Sequence, residues 1–231
     1  RLAVAPGRIE LLGNHIDYNG GPVLAAAIDR QVVVLSAPAP DDAAGTIQGV
    51  AADMDGEPIS LPVTKLADWR NDTQPPRPHD YLRGVIAAIL ARPQFRLRQP
   101  ALVSFAGDVP IGFGLSSSAA LCVSLGLSLA DPEPGFKDLV LLAQEAEHRA
   151  GTPCGTMDQS ASIAGGVIEL DTASLEATHL TPALGDLVFA VADSGVDRSL
   201  GTSSYPDRVE ESRQALDHAN RVLGLDLPYL A

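Results

Sequence analysis

Three short stretches concentrate the residues able to do chemistry. Residues 6–21, PGRIELLGNHIDYNGG, set Arg8, Asn14, His15, Asp17 and Tyr18 between glycines, with too little apolar patterning for the stretch to be mostly core. Paired donors and acceptors of this kind match the hydroxyls of a sugar, although a solvated loop has the same composition. Residues 109–120, VPIGFGLSSSAA, place Gly112 and Gly114 ahead of Ser116, Ser117 and Ser118, where a helical pattern begins. Glycines let the backbone approach a phosphate closely, and the free N–H groups and positive dipole end of the following helix point into the loop. Serine hydroxyls there can bind phosphate oxygens or a Mg²⁺ ion. No lysine follows Gly114, so the GxxxxGK[ST] pattern is absent and such a site works through backbone donors and metal. A plain turn with a helix N-cap would read the same way in isolation. Residues 154–159, CGTMDQ, put Asp158 in the first turn of a short helix, whose N-terminus stabilises an ionised carboxylate. The ordinary preference for acids at helix starts accounts for Asp158 equally well.

Positioning these stretches requires strands and helices in a particular order. Residues 2–4 and 9–12 read as short strands around a Pro6-Gly7 turn, and 23–37 as one or two strands rich in small and β-branched residues. Residues 41–62 suit surface hairpins and 73–78 a loop. Helical spacing runs over 81–91, ended by Pro93. Residues 101–106 read as a strand, 107–114 as a loop, and 116–130 as a helix apolar almost all round and therefore buried. An amphipathic helix over 136–149 stops at Gly151, and a short one over 157–163 ends at Gly165-Gly166. Strands are expected at 167–171 and 187–193, and a polar-faced helix over 209–223. Strands, helices, strands, helix is an α+β order rather than alternating βαβ units.

Composition narrows the classes. The chain has 231 residues, 45% of them hydrophobic and 19% charged, which is enough for a sizeable folded core. A net charge of −13 opposes nucleic acid and anionic membranes, and it equally obliges any nucleotide site to use local donors and cations. Cys122 and Cys154 belong to no CxxC or Cys/His cluster and read as small buried thiols. The longest apolar run, Gly84 to Leu90, is far short of the roughly 20 residues that span a bilayer.

In order along the chain, the three stretches resemble the galactokinase family of the GHMP kinase superfamily, over residues 5–223. The family motif GRxNLIGEHTDYNxG appears as GRIELLGNHIDYNGG, PxGxGLSSSAA as PIGFGLSSSAA, and CGxMDQ as CGTMDQ. A weaker echo, SGVDRSLGTSSY at 194–205, is similar to the stretch bearing the family's sugar-contacting tyrosine. The resemblance implies an α+β fold of GHMP-kinase type. Residues 1–193 would form the N-terminal ATP- and sugar-binding domain, and 194–231 a linker and the start of a second, incomplete α+β domain. It implies an ATP-dependent sugar 1-kinase, with galactose as acceptor, ATP as co-substrate and Mg²⁺ as cofactor. Asp158 corresponds to the catalytic carboxylate and Arg8 to the arginine beside it. His15, Asp17, Gly155 and Tyr205 correspond to sugar contacts. Gly112, Gly114, Leu115, Ser116, Ser117 and Ser118 form the phosphate loop, and Ser118 and Glu147 correspond to metal ligands. Sugar and ATP are the implied partners, in a cytoplasmic monomer or weak dimer.

Two departures from the family matter. Asn14 stands where the family has Glu, so the accepted sugar is open between galactose and relatives such as N-acetylgalactosamine or a uronic acid. The family's final glycine-rich motif does not occur, so a longer parent chain is expected, as the absent initiator Met and the uncapped ending DLPYLA also suggest. Two other functions fit the same pattern. One is a non-catalytic sensor of sugar and ATP, which the intact Arg8, Asp158 and triple serine argue against. The other is a kinase for a non-sugar alcohol such as mevalonate or homoserine, which the HxDYN box argues against.

Overall fold

A computed structural model describes residues 1–40, 45–54, 57–73, 75–98, 101–186, 188–193, 195 and 205–230. Its centre is β2 (Pro22–Pro38), a single 17-residue strand where one or two were expected. Small and β-branched residues along VLAAAI and VVVL suit a pleated surface packed on one side. The strand is long enough for three antiparallel partners. β1 (Leu2–Leu12) pairs along residues 24–35, β6 (Ala101–Gly107) along 32–38, and β8 (Val167–Asp171) along 22–26. β3 (Thr46–Ala51) runs parallel to β6 and forms the expected hairpin with β4 (Ile59–Pro62), while β9 (Glu176–Leu180) closes the other edge against β8.

Helices cover one face of this sheet. α1 (Pro78–Leu90) starts with proline in its first turn, and Asp80 reaches back to accept from the Arg77 N–H at 2.8 Å. α2 (Ser117–Leu129) is buried on nearly every side, as its all-round apolar sequence predicts. α3 (Phe136–Ala150) is amphipathic and ends on Gly151 in the left-handed conformation at φ 90°. The short α4 (Met157–Ala164) packs on β1, α2 and α3. One core joins Val32, Val34, Val103 and Phe105 of the sheet to Leu82, Ile86, Leu125 and Leu142 of the helices. The opposite sheet face leaves Leu2, Val4, Leu35 and Leu102 exposed. A two-stranded ribbon of β5 (Arg96–Leu97) and β7 (Ala130–Asp131) lies outside the main sheet.

Two expectations need correction. Pro6-Gly7 is not a turn between two strands but an irregularity inside the continuous β1, with the register slipping between Pro6 and Arg8. Glycine is required there because a Cβ on Gly7 would lie 2.6 Å from the Leu115 carbonyl oxygen. That close approach lets the Arg8 N–H donate to the same carbonyl at 3.1 Å, tying β1 to the loop ahead of α2. The strand expected over 187–193 is also absent from its described part: residues 188–193 have no ladder partner, and Val188, Phe189 and Val191 are exposed. An apolar run without a neighbouring strand edge has nothing to pair its backbone.

α5 (Tyr205–Leu223) begins four residues before the predicted start. Its exposed side is laced by Arg208–Glu211, Arg213–Glu210 and Arg213–Asp217 ion pairs. Val222 and Leu223 remain largely exposed. Of the 194–205 echo, Gly195 and Tyr205 are described; the rest lies outside the described residues.

Candidate active site

Of the candidate residues singled out from the sequence, all but Tyr18 line one cavity of about 290 Å³. Arg8 comes from β1, and Asn14, His15 and Asp17 from the turn that follows it. Gly112, Gly114, Leu115, Ser116, Ser117 and Ser118 come from the loop and first turn of α2. Glu147 comes from α3, Gly155 and Asp158 from the start of α4, and Tyr205 from the start of α5.

The centre of the cavity is Asp158. Its Oδ1 accepts from both Arg8 Nε at 2.8 Å and Arg8 Nη2 at 2.6 Å, and its Oδ2 accepts from Ser116 Oγ at 2.6 Å. The remaining guanidinium nitrogen, Nη1, donates to the Gly114 carbonyl at 2.8 Å. Arg8 is therefore fixed between the carboxylate and the glycine loop, with both side chains of the pair largely shielded. Ser116 is the residue before α2 and has left-handed geometry, φ 59° and ψ 46°, which is strained for a side chain of this type. It makes no capping bond to its own helix. Its hydroxyl is committed to Asp158 instead of waiting for a phosphate.

Ser118, two residues further on, donates to Glu147 Oε1 at 2.7 Å. Glu147 is 1% exposed; Gln159 Nε2 donates to its other oxygen and the Cys154 thiol lies 3.8 Å from it. Burial, with the nearby charge of Asp158, raises its pKa to about 7. A buried carboxylate without a fixed cation is a fitting ligand for a divalent ion. Among the described residues no cluster of three or more His, Cys, Asp or Glu could hold a metal alone. One carboxylate and one hydroxyl beside a glycine-serine loop at a helix N-terminus suit Mg²⁺, which takes most of its remaining ligands from water and substrate phosphates. Burial also pushes both thiols up, Cys122 and Cys154 alike, as inert structural cysteines require.

On the other side of Asp158, His15 is held at φ 64° and its Nδ1 lies 2.8 Å from the Tyr18 hydroxyl, with the Tyr205 ring 6.0 Å from its own. Asp17 packs directly on the Gly155 backbone. Its pKa is raised to about 6, first by burial, then by Asp158 and Glu10. The sign follows from linkage: the folded state holds this proton more tightly than the unfolded chain, so stability present below pH 4 is lost as pH rises through 6. Asp17→Asn is expected to raise Tm by a few degrees at pH 8 and to change it little at pH 4. Equal effects at the two pH values in thermal melts would contradict this.

Sequence reasoning missed Glu10, Thr152 and Cys154 in the cavity wall, and Gln159 behind Glu147. It also missed a second, apolar cavity of about 350 Å³ that shares Gly112, Ser117 and Ser118 and is walled by Val32, Tyr81, Phe105 and Leu121. These residues come from four separate elements, so no local pattern announces them.

The class is indicated by residues 80–166, which match the family model for the N-terminal domain of the GHMP kinases. Within that class it resembles galactokinase, since residues 1–38 match the galactokinase galactose-binding signature. Curated galactokinases from Actinobacillus pleuropneumoniae serotype 5b (strain L20) and Actinobacillus succinogenes are each 35% identical to it, over 96% and 91% of this chain. The chain spans 56% and 54% of those proteins, about half their length. The crystal structure of Lactococcus lactis galactokinase complexed with galactose superposes with a TM-score of 0.77 at 24% identity, covering 100% of this chain and 59% of that one. The Methanococcus jannaschii mevalonate kinase has the same fold, with a TM-score of 0.63 at 15% identity over 80% of this chain and 56% of its own. Among the described residues no helix is long and apolar enough to cross a membrane.

Proposed function

We propose that this chain supplies the sugar site and the ATP phosphate site of an ATP-dependent sugar 1-kinase acting on galactose or a close relative in the cytoplasm. The observation that carries this reading is the Arg8–Asp158–Ser116 cluster, wedged between a polar cavity and a glycine-serine loop at a helix N-terminus. The apolar cavity beyond Ser117 and Ser118 is the right kind of enclosure for a nucleotide base. Phosphates extending from it would meet the N–H groups of the loop and of α2. Ser118 and Glu147 would hold Mg²⁺ there, and the ion supplies charge neutralisation between phosphoryl oxygens.

His15, Asp17 and Tyr205 would orient the sugar so that its anomeric hydroxyl reaches Asp158. Oδ1 is taken by two Arg8 donors, while Oδ2 takes one and keeps a lone pair for that hydroxyl. Asp158 accepts the proton as the oxygen attacks the γ-phosphorus, the bond to the β,γ-bridging oxygen breaks and ADP leaves. Arg8 lies against the developing negative charge and holds Asp158 in place. Residues 1–193 would form the catalytic N-terminal domain. Residues 194–231 would begin a second, to which the exposed Val222 and Leu223 of α5 offer an apolar face.

A coupled ADP-release assay of the full-length protein against a panel of hexoses tests this reading; ADP released with no sugar dependence would contradict it. In the same assay Ser118→Ala is expected to raise the Mg²⁺ concentration needed for half-maximal turnover by about 10-fold, the scale of one lost bond to a charged group. Unchanged Mg²⁺ dependence would remove Ser118 from the metal site.

A further inference from the structure

One carboxylate in the cavity still has no role. Glu10 follows Arg8 by two residues in a regular stretch of β1, so strand alternation turns both to the same side, and both line the cavity. Glu10 is half-buried, and among the described residues no donor lies within hydrogen-bonding distance of its carboxylate. Such a group is stabilised when a ligand brings donors to it. Asn14 lies at the exposed rim of the same cavity, and its side chain also lacks a partner among the described residues.

The two residues are linked by the sequence. Where the pattern GRxNLIGEHTDYNxG has an amide and then, four residues on, a carboxylate, this chain has Glu10 and then Asn14. The amide and the carboxylate have traded places, and the carboxylate now sits deeper in the cavity.

We propose that Glu10 is the specificity-determining residue of the sugar cavity, accepting hydroxyl hydrogen bonds from the bound sugar while Asn14 completes the rim. The inference rests on the sugar-kinase reading and narrows it. Glu10, Asp17 and Asp158, with Glu147 further back, line the cavity with carboxylates, and among the described residues Arg8 is the one arginine or lysine lining it, so the fitting substrate is a neutral hexose and a uronic acid is repelled.

A charge-exchange cycle in the full-length protein tests this, using Glu10→Gln, Asn14→Glu and the double variant Glu10→Asn/Asn14→Glu. Galactose and galacturonate affinities are read by isothermal titration calorimetry without nucleotide, and kcat and KM by ADP release. Glu10→Gln is expected to weaken galactose binding about 10-fold with the KM for ATP unchanged, the scale of one hydrogen bond to a charged group. Asn14→Glu alone is expected to weaken it too, because it adds a carboxylate to a cavity already lined by four. The double variant is expected to return to within about 3-fold of wild type, a coupling that independent sites do not show. Unchanged affinity in Glu10→Gln, simple additivity in the double variant, or galacturonate bound as well as galactose would each overturn the proposal. Glu10-dependent galactose binding without ADP release would support it and sink the kinase reading. Turnover indifferent to Glu10 would do the reverse, and a protein that binds no hexose would end both.

Discussion

Full-length protein carrying Asp158→Asn is expected to bind sugar and ATP normally and to lose turnover by about 10²–10⁴-fold, the usual contribution of a positioned general base. Asparagine keeps the shape of the side chain, so Ser116 can still donate to its oxygen and Arg8 still has the Gly114 carbonyl. What disappears is the charge proposed to accept the hydroxyl proton, and with it the partner that neutralises Arg8. The loss should fall on kcat, with the KM for sugar within about 3-fold of wild type, because an interaction made only in the transition state does not report in binding. Calorimetry for both ligands, run beside steady-state kinetics, separates the two. A kcat close to wild type would mean that the proton leaves by another route, and Asp158 would lose its role as the base.

Gly155→Ala is expected to act on the sugar instead. A Cβ built on Gly155 lies 1.8 Å from Asp17 Oδ2 and 2.5 Å from its Cγ, so the carboxylate and an alanine cannot occupy these positions together. Asp17 is already costly to bury, with its pKa raised to about 6, so it is the side chain expected to give way. Displacing a positioning group by about 1 Å costs on the order of 10²-fold, and the expected result is a rise of that size in sugar KM with the KM for ATP unmoved. Substituting Gly112 makes the contrast: a Cβ there meets no atom within 4 Å, and its penalty comes from φ 83° in the glycine-serine loop. Near-normal sugar KM in Gly155→Ala would show that Asp17 does not hold the sugar.

The elements were legible wherever one chemical rule dominated. α2 is apolar on all sides and is buried on nearly all, and the glycine-serine loop stands at its N-terminus as expected. The site was legible only in pieces. Arg8 and Asp158 are 150 residues apart in the chain, and no spacing rule brings them to 2.6 Å; only the resemblance paired them. Pro6-Gly7 has the composition of a turn, yet it bends one strand, because the need for Gly7 comes from a carbonyl over 100 residues away. β9 was missed because EATHL is an edge strand with most side chains exposed, so its sequence has no apolar alternation to detect. Residues 188–193 erred the other way, apolar in sequence and exposed in the structure. Glu10 was not singled out, because only the cavity reveals which way β1 faces. The pattern at Ser116 was visible as a cap, but its hydroxyl serves Asp158 rather than the helix.

At the centre of the proposed mechanism, a sugar hydroxyl attacks ATP from a position held by Asp158 beside the α2 loop. The most direct test is ³¹P NMR of full-length protein incubated with ATP, Mg²⁺ and galactose, beside the same mixture lacking sugar. The γ-phosphate signal is expected to give way to ADP and a galactose 1-phosphate resonance, only when the sugar is present. Conversion of ATP to ADP and inorganic phosphate, phosphate on another hydroxyl, or intact ATP in the presence of saturating galactose would contradict it.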